Sequence, residues 1–447
     1  MLPLLIIKDI DINNDLFSRI GSFEKIFVEN SPNEIIKVAR NYEKVIITWN
    51  STTIIDLSLI ESLLKQNSEI SFIANLPDYM EFEIWNSEFL IESLKRHNKT
   101  SKPLRYILPS IELDESIYYT DIIEKDIRLY RFELSPLSHK GIELSKKILS
   151  KINISQNVPQ QIESIIKNNP EYLVEIPTFY YIEISSEKIN TLYTPSWEEK
   201  IDEINVSNFE KILSKIIEYS KTLGIMIGIF NEPLYHTQID EILKVLGEYK
   251  NKQVTFIINT SLPTLPESLV KLLTETKDLK GFRGYPFLNI FIDLPSTTKE
   301  NYEKLKSLDF SLVMENLKKL ISVDPKRVFI KFVRNKYNDE ELRDFYNNLK
   351  QYQIIIQRPQ NKEITSVDTI LPTRIPCYKL QTSLAILPNG DTLICINDIN
   401  KKHNLGNILS KDVKEICLNK TRKIKEHFSN NFLDICENCI IWDQFDL

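Results

Sequence analysis

Short apolar runs alternate along the chain with segments whose apolar positions recur every three or four residues, the pattern of strands followed by amphipathic helices. In the first third, LPLLII (2–7), KIFVE (25–29) and KVIITW (44–49) predict buried strands, and SFIANL (71–76) predicts a further extended segment. Glu34–Ala39 and Ser58–Leu64 predict helices between them. The polar stretch NISQNVPQQ (153–161) has little to bury and contains Pro159, so it predicts a domain boundary.

From Pro177 the rhythm restarts. YYIEIS (180–185), IMIGIF (225–230), VTFIIN (254–259), LNIFID (288–293), VFIKFV (328–333) and QIIIQ (353–357) predict six strands. Between the first two, Phe209, Ile212, Leu213, Ile216 and Ile217 repeat at helical spacing. That helix opens at Ser207 with Glu210 three residues later, a capping box. Ile239, Ile242, Leu243 and Leu246 mark another helix; Val313–Ile321 and Asp339–Leu349 mark two more, the last capped by Asn338 with Glu341. Such a series fits a doubly wound sheet or an incomplete barrel, and periodicity does not choose. Beyond it come short strands and turns such as Pro388-Asn389-Gly390-Asp391.

At 447 residues the chain has room for two or three domains. Its net charge of −6 offers no cationic surplus for nucleic acid or an anionic membrane. The apolar run Leu2–Ile7 is too short to cross a bilayer, so the expectation is a soluble, cytoplasmic protein. Only nine glycines are present, which disfavours glycine-loop cofactor sites.

All five cysteines lie after residue 376. Clustered thiols in a reducing compartment favour a metal site over disulfides. Cys436 and Cys439 form C-x2-C, which lets two sulfurs converge, while Cys377 and Cys395 flank a segment where Asn389-Gly390 suits a two-residue hairpin turn. Four thiolates suit zinc or a [4Fe-4S] cluster equally, and the alternative is a set of buried apolar thiols. Cys417, in VKEIC (413–417), falls on the buried stripe of a helix and reads as a core thiol.

This tail resembles the SPASM domain, the auxiliary iron-sulfur module that follows the core of many radical S-adenosylmethionine enzymes. The resemblance is carried by Cys377, the G-x4-C of Gly390–Cys395, Asp398, LGNI (405–408), KEIC (414–417), Cys436, Cys439 and Trp442. It implies one auxiliary [4Fe-4S] cluster on Cys377, Cys395, Cys436 and Cys439, with zinc as the alternative. The middle segment is similar to the radical S-adenosylmethionine core. Asn231-Glu232-Pro233-Leu234 stands where that family has glycine-glutamate-proline, and IINTSL (257–262) and IFIDLPSTTKENYEKL (290–305) resemble later strands. FVRNKYNDEELRDFY (332–346) continues the match, which implies a partial (β/α)6 barrel.

The departure is at the family's C-x3-C-x2-C loop. Counting on from Glu183, its three positions fall at Lys188, Leu192 and Pro195, and no cysteine precedes residue 377. Without those thiolates the cluster that cleaves the sulfonium has no ligands, so radical S-adenosylmethionine activity is not expected. Asn231 adds a side chain where the family uses glycine, His236 reads as structural, and Glu232 reads as a partner of loop backbone. The first domain resembles nucleotidyltransferase or glycosyltransferase-A folds, as in some spirochaete proteins of the SPASM class. It lacks the glycine loop, and Asn50 stands at the usual metal aspartate; Asp56 reads as a helix cap.

The expected organisation is α/β throughout: a degenerate nucleotidyltransferase-like (GT-A-like) domain at 1–155, a degenerate radical-SAM-like partial barrel at 170–360 and a SPASM domain at 361–447. The expected role is an iron-sulfur protein whose body serves as a binding, scaffold or redox-linked accessory unit, with an unspecified protein or small-molecule partner. A nucleotide-dependent transferase and a zinc-stabilised structural protein are the alternatives.

Overall fold

The structure, a computed structural model, describes residues 3–11, 23–110, 117–120, 126–193, 197, 199–359, 376–437 and 439–442. They form two compact units, Met1–Asn169 and Pro170–Leu447. No helix among the described residues is long and apolar enough to cross a membrane.

The first unit is built on a mixed six-stranded sheet. β1 (Pro3–Lys8), β2 (Glu24–Glu29), β3 (Lys44–Trp49), β4 (Ile70–Ile73), β5 (Glu83–Asn86) and β6 (Ile117–Thr120) lie in the order β2-β1-β3-β5-β4-β6. β1 pairs in parallel with β2 and β3, while β5 runs antiparallel to β3 and β4. Leu5, Ile7, Val45, Ile47, Trp49 and Trp85 form its buried centre. The helix Pro32–Ala39 starts at Ser31, whose hydroxyl accepts from the Glu34 N–H, and proline occupies its first turn, where a missing N–H costs nothing.

The expected linker at 153–161 is in part helix. Val158–Asn168 is helical, with Asn157 as its cap and Pro159 in its first turn. Proline reads as a breaker inside a helix but is favoured at its start, and Val158, Ile162 and Ile166 supply the buried face.

The second unit carries β7 (Phe179–Ile182), β8 (Thr222–Ile227), β9 (Gln253–Thr260), β10 (Leu288–Asp293), β11 (Val328–Val333) and β12 (Gln353–Gln357). These six strands are all parallel, and each is the neighbour of the next in chain order. Chain-order neighbours joined by helices are the product of repeated right-handed crossovers. β13 (Ser383–Ile386) pairs in parallel with the outer edge of β7, and β14 (Asp391–Leu393) and β15 (Asn404–Asn407) extend the sheet antiparallel to nine strands. One continuous core runs from Tyr180 through Phe256 and Ile290 to Ile416, so the C-terminal residues share packing with the six-stranded series.

Two local expectations change. The helix after β7 spans Val206–Ser220 and is capped by Asn205, whose side chain accepts from the Asn208 N–H, rather than by Ser207. Asparagine is at least as good a cap as serine, and it starts the helix two residues earlier. The hairpin between β13 and β14 has three loop residues, Pro388, Asn389 and Gly390, closed by Leu387 N–H to Asp391 O at 2.9 Å. Proline fits the first turn position and Gly390 takes φ +87°, the left-handed residue such a loop needs.

Candidate functional site

The four cysteines of the expected cluster meet in one neighbourhood. Cys377 caps the short helix Tyr378–Thr382, Cys395 follows β14, Cys436 ends the turn Asp434–Cys436, and Cys439 donates its N–H to Cys436 O at 3.2 Å. They do not form a metal centre: among the described residues no group of three or more His, Cys, Asp or Glu is arranged to hold a metal ion. This corrects the expectation of a [4Fe-4S] cluster and equally the zinc alternative.

The sulfurs are engaged otherwise. Asn397 donates its backbone N–H to Cys395 Sγ and its side-chain amide to Cys439 Sγ, both at 3.5 Å, and Cys436 Sγ lies 4.0 Å from His427 Nε2. Burial pushes the Cys395 and Cys377 thiols up, and the neighbouring cysteines push Cys395 further. Cys417 sits, as expected, in the core on the helix Val413–Leu418 and is 0% exposed. Cys417→Ala should fold normally and lower stability by about 1 kcal/mol, read from the urea midpoint.

A concave feature of the second unit lies where β7 to β11 end. A cavity of about 150 Å³ is lined by Tyr181, Asn231, Asp293, Lys306, Lys331 and Lys379 among others. The carboxyl ends of parallel strands are where α/β folds bind their ligands. The segment after β7 runs beside it and is pinned: Lys188 pairs with Asn231, Thr191 with Lys306, and the Leu192 N–H donates to Leu305 O at 3.2 Å. Of the three positions equated with cluster cysteines, Lys188 donates through Nζ to Trp197 O at 2.7 Å and Leu192 is exposed. Pro195 lies outside the described residues.

Glu183, the residue after β7, is fully buried. Gly228, with φ +87°, follows the end of β8, and the chain then turns so that the N–H groups of Ile229, Phe230 and Asn231 all point at one Glu183 oxygen, at 3.2, 2.9 and 3.1 Å. Trp197 Nε1 adds a fourth donor at 3.4 Å. Consecutive N–H groups aimed at one point form an anion-binding nest, and here the protein's own carboxyl fills it. Burial pushes Glu183 up to about 7, against the pull of these donors.

Glu232 does bind loop backbone, as expected: it accepts from Leu234 N–H at 3.1 Å and Ser261 N–H at 2.8 Å, and from the Thr260 hydroxyl. His236 is structural too. Its Nδ1 accepts from the Gln238 N–H at 3.0 Å, which assigns the proton to Nε2, 2.8 Å from Ile204 O. Asn231 uses its amide N–H on Ser185 O at 2.6 Å and leaves Oδ1 buried and unpartnered. Glu183, Asp293, Lys306, Lys331 and Lys379 were not marked as site residues on sequence grounds. The available signal was a charged residue in or beside an apolar strand, as in YYIEIS, LNIFID and VFIKFV.

In the first unit, Asn50 ties down the chain after β1, accepting from the Asp9 and Ile10 N–H groups at 3.0 and 3.3 Å and donating to Ile10 O at 2.6 Å. Asp56 caps the helix Leu57–Leu64 through the Leu59 N–H, as expected, and also accepts from the Val158 N–H at 2.7 Å.

An uncharacterized protein of Treponema pallidum (strain Nichols) is 21% identical over 335 residues, 70% of this chain and 90% of that protein. Among solved structures, Streptococcus suis SuiB bound to S-adenosylmethionine aligns with a TM-score of 0.43 at 16% identity, over 62% of this chain and 77% of SuiB. The enzyme anSMEcpe with bound AdoMet aligns with a TM-score of 0.43 at 13% identity, over 60% and 84% of the two chains. BtrN in complex with AdoMet and 2-DOIA gives 0.39 at 15%, over 59% and 93%. Residues 377–440 match the family model of SPASM, described as an iron-sulfur cluster-binding domain, and it is on this stretch that the assignment of the C-terminal region to a SPASM-like sequence rests.

Proposed function

We propose that this protein is a small-molecule binding or scaffold unit on a radical-SAM-like core, and that it does not cleave S-adenosylmethionine. The observation that carries the reading is the chemistry of the segment after β7. No cysteine precedes residue 377, and Lys188, in place of the first thiolate, is spent on the Trp197 carbonyl. An ammonium cannot ligate iron, and the described part of the segment is held by two backbone bridges, at Lys188 and Thr191. The polar cavity beside it is still lined by ionisable side chains, which suits binding without that chemistry.

The test is an anaerobic incubation of the full chain with S-adenosylmethionine, ferrous iron, sulfide and a strong reductant. 5′-Deoxyadenosine should stay at the level of a protein-free control, and formation above it in proportion to protein would overturn the reading.

A further inference from the structure

The cavity at the strand ends carries more cationic than anionic groups, and its anions are already used. Glu232 is satisfied by Thr260, Ser261 and Leu234. Asp293 gives one oxygen, Oδ2, to Lys306 Nζ at 2.7 Å and to the Tyr193 hydroxyl at 2.8 Å. Burial raises Asp293, but the ammonium groups of Lys306 and Lys331 outweigh it and hold the carboxyl low, so the pair is ionic. Lys331 is different. Its Nζ donates to the neutral Asn259 Oδ1 at 2.7 Å and makes no ion pair among the described residues. Burial lowers its pKa, and the nearby Asp293 carboxylate, itself paired with Lys306, offsets this only in part. Lys379, buried on the helix Tyr378–Thr382, lines the same cavity, donates to the Tyr181 hydroxyl at 2.9 Å and sits 5.5 Å over that ring. Arg358 lines the same cavity.

Against this positive wall stand two acceptors in need of donors. Asn231 Oδ1 and Asp293 Oδ1 are buried without a hydrogen-bond partner. A buried acceptor left without a donor is costly, so two lining one cavity indicate a guest that donates. The Asn231 orientation is fixed by its bond to Ser185 O, and that of Asp293 by Lys306 and Tyr193.

We propose that the cavity binds a small hydroxylated organic anion, a sugar phosphate or sugar acid, with its charged group at Lys331 and Lys379 and its hydroxyls donating to Asn231 Oδ1 and Asp293 Oδ1. The proposal rests on the binding reading above and names the chemistry of the guest. Lysine ammoniums are point charges that serve phosphate and carboxylate alike, so the charged group is left to the choice of probes.

Titration calorimetry of the full chain with ribose 5-phosphate, gluconate, inorganic phosphate and ribose separates charge from hydroxyls. At least one of the two hydroxylated anions should bind saturably at one per chain, about tenfold or more tighter than inorganic phosphate or ribose, the factor expected for losing either set of contacts. Phosphate-only or carboxylate-only binding then identifies the charged group. Lys331→Met should weaken the tighter anion about tenfold, and Lys331→Arg should retain most of the affinity. If Lys331→Met does not fold, Lys379→Gln carries the same expectation.

Ribose binding as tightly as either anion, or unchanged affinity in the folded lysine variants, would overturn the anion assignment while leaving a binding protein. Saturable binding of neither hydroxylated anion overturns it as well. The 5′-deoxyadenosine measurement is independent of all four probes, so a failure of the broader reading is recognised separately.

Discussion

Glu183→Ala should destabilise the second unit by roughly 5 kcal/mol, because it strands four buried N–H donors at once. The three backbone groups of 229–231 and Trp197 Nε1 converge on this carboxyl, and none has an alternative acceptor within the nest. The loop they hold leads directly to Glu232 and Asn231, so the cavity wall should loosen with it. Glu183→Gln keeps an oxygen in the nest and should cost far less. It also isolates a pH effect. The folded protein holds the Glu183 proton until about 7, whereas the unfolded chain releases it near 4.5, the ordinary value for a glutamate. The stabilising contribution is therefore complete below the lower value and is lost as pH rises through the upper one, a decline of roughly 3 kcal/mol in all. Glu83, Glu232 and Asp56 are raised in the same direction, so the total slope is shared among them. The difference in urea-unfolding free energy between wild type and Glu183→Gln, measured from pH 4.5 to 8, assigns the Glu183 part. A difference that does not vary with pH would show that the carboxyl is ionised in the fold.

Arg327→Met should cost about 4 kcal/mol, the penalty of breaking a buried ion pair from one side. Arg327 is 1% exposed and joins three elements just before β11. Its Nε donates to Asp324 Oδ2 at 2.8 Å, its Nη1 to Thr276 Oγ1 at 3.0 Å, and its Nη2 to Leu273 O. Leu273 lies in the last turn of the helix Glu267–Glu275, where carbonyls lack helical partners and a cation is favoured. Methionine fills the volume but leaves the Asp324 carboxylate buried and unpaired. Arg327→Lys should recover only part of the loss, since one ammonium cannot reach all three acceptors with the guanidinium's fork geometry. Urea unfolding of the three proteins tests the ordering; equal midpoints for wild type and Arg327→Met would refute it.

The strands were legible because the sheet of the second unit is buried on both faces. VTFIIN and LNIFID are near-continuous apolar runs, and each appears as a strand within one or two residues. Caps were less legible. Asn205 and Ser207 both have a cap's chemistry, and the choice turned on how much apolar helix face could be buried, which is a tertiary quantity. The hairpin loop was read one residue short because Asn-Gly is favoured in two-residue turns, while Pro388 pre-sets the longer one.

The site was legible in another way. Spacing singled out Cys377, Cys395, Cys436 and Cys439 as a set, but spacing does not report which hydrogen bonds the sulfurs make. Those depend on Asn397 and His427, which no ligand motif includes. The cavity charges were visible as residues and invisible as a set, since Lys306, Lys331 and Lys379 come from separate elements and meet only in the fold.

The pairing of β13 with β7 has a bearing on how the chain is made. One edge of β7 is covered soon after synthesis by β8, but the other waits for Ser383–Ile386, roughly 200 residues further on. At a ribosomal rate of about 5–20 residues per second, a bare, apolar strand edge persists for roughly 10 to 40 seconds. During that interval the nascent chain presents the kind of surface that other strands pair with, so production should be more sensitive to synthesis rate and chaperone supply than the finished fold suggests.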